Sequence, residues 1–198
     1  VLIGRATSQL FERLQYSISL KFGEAQMKTL PAIELKRYSD ADYPVLKRQN
    51  EPDMTEFLGG PESEEKLLER HQKYVKLEAG KEYMYVIWLD GQAVGSIGYW
   101  EKEWNGGMVW EAGWGVLPEF QGRGIALAAL LALVNKAREE KKYRFMHAYP
   151  KVINEASNAL CRKAGFELMG ECDFEYPKGV PIRCNDWRLD LTADQADI

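Results

Sequence analysis

The sequence predicts an α/β fold in which a sheet of about six to seven strands is flanked by about four helices. Three observations carry this expectation. A run of strand character ends at Leu117 and passes through a turn into Gln121-Gly-Arg-Gly124, which opens a long apolar run from Ile125 to Val134. Asp90-Gly91 separates two strand-like runs rich in β-branched and aromatic residues, a two-residue hairpin signal. A chain of 198 residues with 45% hydrophobic and 28% charged residues is large enough for one real core and ordinary for a globular protein.

The elements follow in order. Val1 to Gln26 is set apart as an N-terminal extension, since Met27 has the look of an initiator and a single domain spans 27–198. Leu10, Phe11 and Leu14 lie at helical spacing, which suggests a short helix or a poorly ordered arm there. Ile33 to Tyr38 alternates and reads as a first strand. Ser39 caps a helix running through Asp40 to about Arg48, with acids in its first turn. Gly59-Gly60-Pro61 is a break, and Pro61 opens a second helix reaching about Lys76. Tyr83 to Leu89 and Ala93 to Trp100 form the hairpin, Asn105-Gly-Gly107 turns the chain, and Met108 to Leu117 is a fourth strand. The helix from Gly124 to about Glu140 is apolar almost all round in its first three turns, so it belongs against a sheet. Tyr143 to Tyr149 is a fifth strand stopped by Pro150, Glu155 to Ala164 a short helix, and Gly165 its C-terminal cap. Phe166 to Glu175 and Arg183 to Leu191 close the chain as a hairpin turned around Pro177-Lys-Gly179.

Charge and cysteine usage narrow the functional classes. A net charge of −4 disfavours non-specific nucleic-acid binding. No apolar run has the length of a membrane span, and no signal peptide is visible. Cys161, Cys172 and Cys184 form no Cys-x-x-Cys pair, and His71 and His147 are too few to complete a zinc site. Their odd number suits a reducing cytoplasm.

The loop from Gln121 to Ala126 is the most specific stretch. Its small residues stand where a backbone must come close to something. A helix opening there presents unpaired N–H groups and the positive dipole end, which suits a phosphate. A Walker loop is excluded, because no Gly-x-x-x-x-Gly-Lys-Ser/Thr occurs. A dinucleotide fingerprint fails as well: Leu127 stands where the third glycine belongs, and no acid closes the next strand. Gln121, Gly124 and Ala126 instead match the Gln/Arg-x-x-Gly-x-Gly/Ala pyrophosphate loop of the GCN5-related N-acetyltransferases, the GNAT family. Downstream, Asn154-Glu-Ala-Ser157 leads into a short helix ended by Gly165-Phe166, which resembles the same family's Asn-x-x-Ser and Gly-Phe pattern. The resemblance covers roughly Ile33 to Leu191 and is strongest from Glu111 to Phe166. Glu111-Ala-Gly-Trp-Gly-Val brings it nearest to the branch of ribosomal-protein N-terminal acetyltransferases.

That resemblance implies a central mixed, mostly antiparallel sheet, acetyl-CoA as the cofactor and direct attack by a primary amine. The amine belongs to a small molecule or a peptide N-terminus, and the protein is a monomer or homodimer. Val116, Leu117, Gln121, Gly122, Arg123, Gly124, Ile125 and Ala126 are then the coenzyme-binding strand end and loop, joined by Asn154, Ser157 and Asn158. The alternatives are an N-cap for Asn154, surface positions for Ser157 and Asn158, and a solvated side chain for Arg123. Glu111 matches the fourth-strand glutamate that often serves as general base. An anchor for the substrate ammonium and a plain surface charge are its other readings. Gly113 and Gly115 beside it either leave room for the pantetheine arm or mark close backbone packing. Many members place a tyrosine acid where this chain has Cys161. The thiol is either that acid or a buried, inert helix cysteine, in which case Tyr149, Ser157 or water gives the proton. On the acceptor side, Trp100, Trp104, Trp110, Tyr176 and Trp187 are either a pocket around a cation or core packing. His147 reads as a satisfied core histidine, and Asp173 and Glu175 as acceptor-selecting acids or solvated ones. A different class also stays open: a non-catalytic acyl-CoA-binding sensor or interaction module on the same fold.

Overall fold

The computed structural model describes residues 30–176 and 179–193. The expected helix or arm within 1–26 and the middle of the last turn lie outside the described residues. Seven strands form one sheet: β1 (Glu34–Arg37), β2 (Glu82–Leu89), β3 (Gln92–Trp104), β4 (Gly107–Val116), β5 (Phe145–Ala148), β6 (Glu167–Glu175) and β7 (Pro181–Asp190). Their order is β1-β2-β3-β4-β5-β7-β6. Every neighbouring pair is antiparallel except β4 with β5, so the sheet is mixed and mostly antiparallel as expected.

Five α-helices accompany it: α1 (Tyr43–Gln49), α2 (Pro52–Thr55), α3 (Glu64–Val75), α4 (Ile125–Glu140) and α5 (Glu155–Lys163). The first predicted helix begins as a 3-10 turn, Asp40–Asp42, because Asp42 folds back to accept hydrogen bonds from the Ser39 backbone N–H and hydroxyl. The short α2 has no counterpart in the sequence reading; Pro52 at its first position starts it. The second predicted helix starts at Glu64 rather than Pro61, since Ser63 supplies the cap by accepting from the Lys66 amide. The hairpin turn at Asp90-Gly91 has positive φ at both residues (49° and 79°), as a tight turn between twisted strands requires. Asn105-Gly106 repeats the device and lets β3 run on to Trp104, further than the sequence suggested.

The sheet separates two cores. One face carries α4 and α5 over Ile97, Tyr99, Trp110, Ala112, Met146, Ala148, Trp187 and Leu189. Six buried residues of α4, from Ile125 to Ala137, face this core. The other face carries Val45, Leu46 and Leu67, from α1 and α3, over Met84 and Val86. Strand alternation therefore sends Trp110, Ala112, Trp114 and Val116 of β4 to the α4 side, and Glu111, Gly113 and Gly115 to the α1 side. No helix among the described residues is long and apolar enough to cross a membrane.

Candidate active site

The site is built where β4 parts from β5. These parallel strands pair at only two rungs, Trp110 with Met146 and Glu111 with His147. Strand β4 then continues to Val116 without a neighbour on that side, while β5 stops at Ala148. The Leu117 amide donates to the Val94 carbonyl at 2.9 Å, towards β3. Alternation along an antiparallel ladder then turns the backbone groups of Ala112, Trp114 and Val116 the other way; the Ala112 N–H closes the last rung with β5, and the groups beyond it face the opening. The Val116 carbonyl is taken by the Gln121 side-chain amide at 2.8 Å. Gln121 thus ties the loop to the strand end.

Beyond the strand, Pro118–Phe120 forms one 3-10 turn, and Gly122 and Gly124 adopt left-handed backbone, φ 71° and 82°. Gly124 is the N-cap of α4, so the helix start has no capping side chain and no acid in its first turn. The amides from Gly122 to Ala126 remain at a positive helix terminus, an arrangement suited to a phosphate. Gln121, Gly122 and Arg123 are exposed, and the Arg123 guanidinium lies 5.7 Å from the Phe120 ring centre. Ile125 is buried beneath the loop and anchors it to the core, as do Val116 and Leu117 on the strand side.

Glu111 stands on the α1 side of the sheet, at the rung where the opening begins. Its side chain is only 14% exposed, and Lys102 Nζ lies 3.6 Å from Oε2. Burial raises the carboxyl above the usual carboxylate range, while Lys102 and Trp100 pull it back. Its rung partner His147 gives Nδ1 to Asp186 Oδ1 at 2.6 Å, both buried, and Trp104 Nε1 donates to Asp186 Oδ2 at 2.9 Å. Tyr149 stacks on His147 and on Phe174, with ring centres 5.8 and 4.9 Å apart. Its hydroxyl is buried with no hydrogen-bond partner among the described residues. Burial, then the nearby Asp186 and Glu111, push this phenol far above its ordinary range.

Other candidates have different places. The two β4 glycines are filled from within the protein. A Cβ on Gly113 would sit 2.7 Å from the Trp100 ring, and one on Gly115 would sit 2.6 Å from Gln49 Nε2. Gln49 donates to the Gly115 carbonyl and accepts from Ser96 Oγ. Close packing is therefore the reason for these glycines on the α1 face. Cys161 is corrected: it is fully buried in the α4-side core, and burial pushes its thiol up to about 12. A thiol sealed there meets no substrate, so the inert helix cysteine is the reading that stands. Asn158 is corrected in the same way. Its amide donates to the Lys151 and Asn154 carbonyls, and its oxygen accepts from Asn185 Nδ2 and Trp187 Nε1. That leaves it no free hydrogen-bonding group for a coenzyme. Asn154 is the N-cap of α5, accepting from the Ser157 amide at 3.1 Å, and Ser157 is half-buried in the first turn.

Of the five aromatic candidates, Trp110 and Trp187 are core, while Trp100 and Trp104 line the Glu111 face. Tyr176 receives a hydrogen bond from Arg70 of α3 at 3.2 Å, joining the last hairpin to the helices across the face. Asp173 pairs with Arg183 and Glu175 accepts from the Gly179 amide, both exposed. Lys102, Phe174 and Asp186 were missed by the sequence reading. Only Lys102 left a trace, alternating with Trp100 and Trp104 along β3.

Residues 33–167 match a family model described as an acetyltransferase (GNAT) domain. Comparison with curated protein sequences finds no match. Among solved structures, the chain resembles a Salmonella typhimurium acetyl transferase that modifies the N-terminal serine of ribosomal subunit protein L7/L12. The identity is 24% and the TM-score 0.68, covering 80% of this chain and 94% of that one. It also resembles an aminoglycoside acetyltransferase, AAC(6')-Ib, solved with coenzyme A, at 17% identity and TM-score 0.65, covering 80% and 95%. A third is a GNAT acetyltransferase from Bacillus anthracis, at 18% identity and TM-score 0.65, covering 83% and 98%. The family match runs from the first strand through the glycine loop to the start of β6, and the chain belongs to the GNAT acetyltransferase family.

Proposed function

We propose that the protein moves the acetyl group of acetyl-CoA to a primary amine, with Glu111 taking the proton that the amine must lose. The observation that carries this is one largely buried carboxylate at the last paired rung between β4 and β5, next to an unpaired strand edge and an uncapped helix start. The amides of Gly122 to Ala126 fit a pyrophosphate, and the β4 edge from the Ala112 carbonyl to Trp114 fits an amide-rich arm pairing as a strand would. Acetyl-CoA supplies the acetyl group as an activated thioester.

An alkylammonium has a pKa of roughly 10 and must be neutral to attack. The raised pKa of Glu111 narrows the gap between acid and base, which makes it the better proton acceptor. The leaving sulfur takes its proton from Tyr149, Ser157 or water. Tyr149 is on the Glu111 face, where its buried hydroxyl has no hydrogen-bond partner among the described residues, and its raised pKa makes it a weak acid. The acceptor is a peptide α-amine, as for the Salmonella protein, or a small-molecule amine, as for the aminoglycoside enzyme. One domain from 27 to 198 and a reducing cytoplasm complete the reading; the three cysteines are free thiols.

Calorimetric titration of acetyl-CoA, with Gly124→Glu as control, tests the coenzyme site. Binding to the native chain that is lost in the control supports it; no binding to the native chain sinks the reading. Binding without turnover on any amine marks an acyl-CoA-binding module instead.

A further inference from the structure

Lys102 is an amine already standing at the proposed base. Its Nζ lies 3.6 Å from Glu111 Oε2 and 4.3 Å from the centre of the Phe174 ring. It comes from β3, two residues beyond Trp100, the rung partner of Glu111. The side chain is 31% exposed, against 60% for Lys73 and for Lys81. An acceptor nitrogen has to lie within hydrogen-bond reach of the base, or one water away, on the face where β4 opens. Lys102 lies on that face at ion-pair distance, which a small movement of its side chain closes to a hydrogen bond, and being part of the chain it needs no encounter.

We infer that Lys102 is a self-acetylation site, the protein's own lysine being the first amine to receive the acetyl group. The inference rests on Glu111 acting as the base of the proposed reaction. The Lys102 ammonium gives one proton to Glu111, and the freed nitrogen pair forms an N–C bond to the acetyl carbon. The C–S bond breaks and its electron pair leaves on the coenzyme sulfur. A second proton leaves the nitrogen as the amide forms. One of the two protons ends on the sulfur as a thiol, and the other goes to solvent. The product lysine carries no charge, so its ion pair with Glu111 and its attraction to the Phe174 face are both lost. An incoming ammonium then meets Glu111 without a resident cation beside it.

The test incubates the whole chain with isotope-labelled acetyl-CoA and reads each lysine by peptide mass spectrometry. Lys102 is expected to be labelled at least about tenfold faster than Lys73 and Lys81. The rate should be independent of protein concentration and should fall by about a hundredfold in Glu111→Gln. Lys102→Arg keeps the positive charge and should reduce total label to the background of exposed lysines, which carries the test if Glu111→Gln folds poorly. Label on Lys102 no faster than on exposed lysines, or indifferent to Glu111→Gln, is simple chemical acylation and overturns the inference. An unlabelled Lys102 in a chain that acetylates an added amine overturns it while leaving the proposed function intact. Failure to bind acetyl-CoA at all overturns both.

Discussion

Burial and one cation compete over the Glu111 carboxyl, and burial wins. The folded pKa therefore lies above the unfolded one. The stability this group contributes is present below the unfolded pKa and lost as pH rises through the folded pKa. Ionised Glu111 thus costs stability at neutral pH. Glu111→Gln is expected to raise the melting temperature at neutral pH, with the gain shrinking towards acid pH, as thermal denaturation would read. The same change should lower turnover by about 10²–10⁴, the usual worth of a positioned base. A melting temperature that drops at neutral pH would show that Glu111 holds the fold instead. The base works only when ionised, so turnover should rise with pH through the raised pKa. Lys102→Met removes the charge that opposes the rise, so the acid limb of the rate profile should move to higher pH. An unmoved limb would mean that another group is titrating.

Asn158 joins two elements through one side chain. It links the start of α5 to β7 by accepting from Trp187 Nε1 at 2.8 Å and from Asn185 at 2.7 Å. Asn158→Leu would leave the buried Trp187 indole N–H without its acceptor, costing about 1–3 kcal/mol in chemical denaturation. Its acetyl-CoA affinity, measured at a temperature where the fold survives, should stay within a few-fold of native. A large selective loss of affinity would return Asn158 to the coenzyme site. This residue shows where the sequence is legible and where it is not. Local signals read well: the Asp90-Gly91 turn, the Gly124 helix start and the Gly165 cap depend on residues adjacent in the chain. The positions of the glycine loop at a helix start and of Glu111 on the fourth strand also follow from local spacing and strand alternation. Asn158, Cys161 and Asp186 owe their roles to partners on other elements, such as Trp187 and Trp104, and spacing carries no trace of those. Strand β7 began at Pro181 rather than Arg183 for a similar reason, since proline is tolerated as a first strand residue.

At the scale of the whole molecule, strands β1 to β4 and β5 to β7 form two halves that share only two rungs of pairing. Below the sheet they are locked together, since Trp110, Met146, Ala148 and Trp187 pack with Leu130 and Leu133 of α4 in one core. On the strand edge they part beyond the Glu111–His147 rung, leaving Trp114 with no strand partner on that side. A coenzyme arm that pairs there completes the sheet without moving either half, because the core beneath already fixes their separation. Binding should then be read one residue at a time along β4. The Trp114 amide is expected to exchange hydrogen quickly in the free protein and slowly with acetyl-CoA. Those of Glu111 and Gly113, turned to β3, and of Ala112, held at the last rung with β5, should be slow in both. Saturation at a hundredfold excess over Kd should add about 2.7 kcal/mol of stability, and Gly124→Glu should abolish both effects. Equal protection of all four amides on binding would mean that the strand itself becomes ordered. In that case the opening between β4 and β5 is made by the ligand rather than built into the fold.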